Sequence, residues 1–134
     1  MANVLYPAYK ELLLGAGLNL STGDIRAVLV DLADYTYSAA HDFLDDVPAG
    51  ARVAVTAALG SKTVAAGVFD AADLAFSAVT GDVSEAVILY CHDGGADGAR
   101  RLIGYFDTGV TGLPVTPNGG DVNLAWNTSG IFAL

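Results

Sequence analysis

The chain has 134 residues, 53% apolar and only 16% charged, which predicts one domain (residues 1–134) with a core of its own and argues against disorder. Fifteen acidic and six basic residues leave a net charge of −9, which argues against direct binding to phosphate backbones or docking on an anionic membrane. Cys91 is the only cysteine, so no internal disulfide can form, and no run approaches the ~18 apolar residues needed to span a bilayer.

The opening Met1-Ala-Asn-Val-Leu-Tyr-Pro7 has no basic segment leading into an apolar stretch, so no secretory signal is expected there. Pro7–Leu14 predicts a short helix, with Pro suited to the first turn and Tyr9, Leu12 and Leu13 on one face. Gly15 and Gly17 end it. Two roles suit this helix: a lid packed on the core, or an element that docks on a partner.

Ile25–Leu32 is apolar and β-branched, and predicts a central strand covered on both faces. Residues 33–50 break the β rhythm. Ser38 is placed to cap a short helix over Ala39–Leu44, pinned by Phe43, Leu44 and Val47 and closed by Pro48-Ala-Gly50. Tyr35 and Tyr37 stand two apart in this excursion, on one face if it is extended. Long connections in β domains often carry binding, so the candidate contacts are the N-terminal helix, the Tyr35–Tyr37 stretch and exposed edge strands, with Tyr6, Tyr9, Tyr35 and Tyr37 as the candidate interface residues.

Arg52–Leu59 and Lys62–Phe69 then read as a hairpin about Gly60-Ser61. Leu74–Val79 alternates, with Leu74, Phe76 and Ala78 together. Glu85–Cys91 is the most continuous apolar run, and Ile88 within it is expected to be fully buried. Arg101–Asp107, Asp121–Trp126 and Ile131–Leu134 complete eight predicted strands. The fold class is mainly β: an antiparallel, jelly-roll-like β-sandwich with a short N-terminal helix and one short helix in the excursion.

No grouping of residues has the pattern of a catalytic or metal site. Cys91-His92-Asp93 lacks the second ligand pair that zinc needs, and adjacent strand residues face opposite ways. Asp93-Gly-Gly-Ala-Asp97-Gly lacks the alternating ligands and distal Glu of a calcium loop. Asp42, Asp45 and Asp46 have no aromatic platforms beside them for glycoside hydrolysis, there being one Trp. Gly60-Ser61-Lys62-Thr63 lacks the upstream Gly and the following helix of a P-loop. The expectation is therefore no enzyme, no catalytic residue, no metal and no cofactor.

The order of segments resembles a family of small tailed-bacteriophage proteins. The residues concerned are the opening Met-Ala-Asn-x-Leu-Tyr, Ile25-Arg-Ala-Val-Leu-Val-Asp31 and the stretch from Ala33 to Asp46. They continue through Pro48–Ala54, Phe76–Asp82, Glu85–Tyr90, Arg101–Asp107 and Gly112–Asp121. The resemblance covers nearly the whole chain, and members of that family are mostly described only as uncharacterised or virion-associated proteins. It implies a component of the phage particle, made in the host cytoplasm. By analogy it implies a cement or decoration subunit on the capsid exterior, whose partners are the major capsid protein and itself, as homodimer or homotrimer. The alternative is a tail or fibre-associated module that recognises the host surface. The resemblance implies no catalytic motif.

Overall fold

The computed structural model describes residues 3–93 and 95–134. Met1 and Ala2 of the opening motif and Gly94 of the Asp93–Gly98 loop lie outside them. In chain order the elements are β1 (Val4–Leu5), α1 (Pro7–Leu14), β2 (Ile25–Val30), β3 (Arg52–Val55), β4 (Thr63–Ala65), β5 (Val68–Asp70), β6 (Leu74–Phe76), β7 (Ala86–Cys91), β8 (Leu102–Phe106), β9 (Val122–Leu124) and β10 (Phe132–Ala133). The fold is mainly β, with antiparallel pairing and one α-helix among the described residues. One five-stranded sheet runs β1-β8-β7-β2-β3, a three-stranded sheet runs β10-β5-β4, and β6 pairs with β9.

The large sheet forms where the sequence is most apolar. Every residue of β7 is buried, Ile88 included, and so is every residue of β8. Side chains alternate across a strand, so a strand buried at every position is covered on both faces. Two aromatic clusters do part of that covering. Tyr105 packs with Tyr37, which packs on Tyr6. Phe106, on the opposite face of β8, meets Trp126 and Phe132, and Phe132 also meets Tyr9 of α1 and Phe69 of β5. The second cluster ties the helix and the three-stranded sheet to the large sheet. Gly104 lets β1 approach: a Cβ there would lie 2.8 Å from the Phe106 ring and 3.1 Å from Leu5.

Three expectations are corrected. The Ala39–Leu44 helix is absent. The Ser38 Oγ accepts from the Ala40 N–H and the Ser38 carbonyl from the His41 N–H, which closes a local turn instead. The excursion holds only single 3₁₀ turns, at Leu44–Asp46 and Ala49–Ala51. Leu44 and Val47 do pin it to the core. The 52–59/62–69 hairpin is also absent. Arg52–Val55 pairs with β2, and 62–69 is divided between β4 and β5, which form their own hairpin. The turn responsible is Ala66-Gly67, both at positive φ (52° and 78°). Finally, the 74–79 strand stops at Phe76, because Ala78 takes a φ of 49°.

Candidate interaction surface

The four candidate tyrosines do not form a surface. Tyr6 and Tyr9 are fully buried and Tyr35 nearly so; Tyr37 is half-buried. The cause is packing: α1 turns Tyr9 inward, and the chain entering α1 follows β8, with the Tyr6 N–H donating to the Ile103 carbonyl. The hydroxyls of Tyr6 and Tyr35 share a 2.8 Å hydrogen bond, and Tyr35 reaches His41 Nδ1 at 2.8 Å. This chain of three groups leads from the core to the excursion and holds the excursion down. Burial pushes the Tyr6 phenol far above its ordinary pKa, helped by the bond to Tyr35. It pushes Tyr35 and Tyr9 up to about 12 each.

The polar groups with chemical potential are likewise engaged in holding loops. Cys91 is buried, and its thiol donates to Asp93 Oδ2 at 3.4 Å; burial raises its pKa, which disfavours a thiolate. His92 turns to other partners. Arg100 can only donate, so it donates to Nε2 of a neutral His92 at 3.1 Å, and the ring proton on Nδ1 goes to the Tyr90 hydroxyl at 3.0 Å. Burial and then the charges of Arg26 and Arg100 lower the His92 pKa, which keeps that neutral form. Asp46 accepts from the Asp42 N–H at 2.8 Å and the Phe43 N–H at 3.3 Å. Burial draws its pKa up, but those backbone bonds outweigh burial and leave it lowered. It therefore serves as a loop brace.

One cluster escapes a reading along the chain. Asp31, Asp34 and Asp82 bring carboxylate oxygens within 4.8 Å of one another, Asp31 being buried and the others exposed. Oxygen ligands of this kind suit a hard cation such as calcium, which takes six to eight of them. Asp31 already spends one oxygen on the Ala33 N–H at 2.9 Å. Asp31 and Asp34 are separated from Asp82 by a long stretch of chain, so only the fold brings them together.

Two regions of the surface bear on binding. Adjoining clefts, the larger about 390 Å³, share Trp126 and Asn127, with Asn3, Thr108 and Ser129 around the larger one. A smaller apolar groove of about 100 Å³ lies between α1 and the three-stranded sheet, lined by Tyr9, Leu13, Val64, Phe69, Phe132 and Leu134. Val64 and Leu134 are 58% and 74% exposed, unusual for large apolar side chains. Beside this groove runs β4, exposed at all three of its residues. Exposed edge strands are among the contacts expected from sequence, but residues 62–69 read there as one paired strand, so the position of this edge comes from the fold. Compared with protein-family models and with curated protein sequences, the chain matches none.

Proposed function

We propose that the chain is a structural protein of a bacteriophage virion, a cement or decoration subunit that stabilises the assembled head from outside. Its partners in this reading are the major capsid protein and further copies of itself, with no part for catalysis, cofactor, nucleic acid or membrane. The reading rests on the resemblance of its segments, over nearly the whole chain, to a family of small tailed-phage proteins. The architecture supports it. A mainly β domain offers an open edge and an apolar groove, while Cys91, His92 and Asp46 are occupied in bracing loops. We read the three antiparallel sheets as parts of a jelly-roll-like sandwich. No helix is long and apolar enough to cross a membrane among the described residues.

A cement subunit binds where neighbouring capsid proteins meet, so modest contacts add through effective concentration. Particles lacking the protein should form, yet rupture at lower temperature than particles to which it is added back. Equal rupture temperatures, with the protein located only on the tail, would refute the reading. The cleft beside Trp126 favours the second reading, a tail or fibre-associated module. Its amide and hydroxyl side chains, Asn3, Thr108, Asn127 and Ser129, suit hydrogen bonding to a saccharide of the host surface, while the buried Trp126 offers little stacking face. Copy number in purified particles separates the two: hundreds for a cement protein, a handful for a tail module.

A further inference from the structure

We infer that the chain forms a twofold dimer through the free edge of β4, with Val64 of each copy hydrogen-bonded to Val64 of the other. This deepens the self-association part of the proposed function, yet needs no capsid and is tested on the protein alone.

The backbone argument begins at the Ala66-Gly67 turn. A two-residue hairpin loop makes its flanking residues, Ala65 and Val68, a hydrogen-bonded pair. The next pair inward, Val64 and Phe69, is then a non-hydrogen-bonded one, whose N–H and C=O groups point away from each other. The far side agrees: the Phe69 carbonyl accepts from the Ile131 N–H at 2.9 Å, on the β10 side. Val64 therefore presents both its donor and its acceptor on the open edge. One donor and one acceptor on a single residue form a self-complementary pair about a twofold axis, which is what an isologous interface requires.

Edge strands are normally guarded by charge, proline, a bulge or a covering loop. Among the described residues none of these guards β4. Its three residues are uncharged and exposed, and the pairing with β5 runs without a register shift. The neighbouring lysine is drawn off: Lys62 Nζ donates to the Gly23 carbonyl.

Charge selects a second copy as the occupant. Each copy carries −9, so two copies meet at least cost where a surface holds no anion. The meeting strand is such a surface: residues 63–65 are uncharged, Lys62 adjoins them, and Asp70, the partner of Thr63, lies one strand back on β5. Antiparallel register about Val64 sets Thr63 opposite Ala65 and Lys62 opposite Ala66, so no charge faces a charge. Cross-strand partners share a face, so Val64 lies on the same face as the buried Phe69 and lines the apolar groove. The twofold axis of an antiparallel edge pair is normal to the sheet. The grooves of both copies, with exposed Val64 and Leu134, thus lie side by side on one face and shield each other.

Sedimentation equilibrium of the purified chain tests this. The mass should rise with concentration from 13.7 kDa toward twice that value. Added salt should strengthen the dimer by screening like net charges. Hydrogen exchange at the Val64 amide should slow about tenfold or more in the dimer. Val64→Pro removes the outward N–H without touching a bond to β5, and should give a monomer at every concentration. Val64→Lys, which keeps the amide but opposes two lysines at the axis, should do the same if the proline variant does not fold. A wild-type chain that stays monomeric overturns the inference. So does a dimer that survives both substitutions. So does a Val64 amide protected only on phage particles, since the edge then serves a different chain. A dimer that leaves particle stability unchanged would sink the cement reading instead.

Discussion

At the scale of single residues, two tyrosines a turn apart show how burial and bonding separate. Tyr6 and Tyr9 are both fully buried, but Tyr6 bonds to Tyr35 while the Tyr9 hydroxyl has no hydrogen-bond partner among the described residues. A buried hydroxyl contributes only when paired, and costs its desolvation when it is not. Tyr6→Phe should therefore destabilise by ~1–2 kcal/mol, because it also strips a partner from Tyr35. Tyr9→Phe should be neutral or stabilising by up to ~1 kcal/mol. Urea denaturation midpoints of the two variants check this, and equal losses would contradict the network. Sequence alone marked both residues as contact candidates. An aromatic on an amphipathic face reads the same whether that face meets a partner or the chain's own core. The hydrogen bond that distinguishes them comes from Tyr35, far along the chain.

At the scale of elements, what was legible followed from local chemistry. The helix over Pro7–Leu14 matches its expected bounds, because a first-turn proline and a glycine stop both act within the element. β7 and β8 differ from their expected spans by one residue at the ends, because a continuous apolar run bounded by polar residues has few alternatives. What was not legible depended on competition. Asp46 and Ser38 capture the N–H groups of residues 40, 42 and 43, which defeats a helix that spacing alone would allow. β1 is two residues long and exists only because Gly104 admits it. The β4–β5 turn was hidden because Ala66 stands where Asn or Gly is usual for positive φ. That oddity gives a prediction. At a φ of 52°, an alanine Cβ crowds the backbone, whereas asparagine tolerates the conformation and favours this turn. Ala66→Asn should stabilise by ~0.5–1 kcal/mol, seen as a higher melting temperature. A lower melting temperature would mean that the turn, and with it the register of Val64, is wrong.

At the scale of the whole molecule, the tyrosines set how stability responds to alkali. All six have raised pKa values, chiefly through burial. Tyr9 and Tyr35 reach about 12, and Tyr6 and Tyr105 go higher. In the unfolded chain each phenol loses its proton near pH 10. Between that pH and the folded value, the native state still holds protons that the unfolded state has released. Stability is therefore complete below about pH 10 and falls as the pH rises above it. Each fully buried phenol subtracts about 1.4 kcal/mol per pH unit in this window, so a few acting together exhaust a domain's margin within a unit or two. On the acid side the carboxylates of Asp24 and Asp97, beside their arginine partners, have lowered values, and so does Asp46, where the Asp42 and Phe43 N–H groups outweigh burial. Their contribution is present above the ordinary carboxylate range and lost as the pH falls through it; at these partly exposed sites screening keeps that contribution small. Spectrophotometric titration should then show little tyrosinate as the pH passes 10, followed by a steep rise that coincides with loss of the far-ultraviolet β signal. Gradual ionisation of several tyrosines near pH 10 in a still-folded protein would show that the two aromatic clusters are open to solvent. It would contradict the burial on which the assignment of Tyr6, Tyr9 and Tyr35 to the core rests.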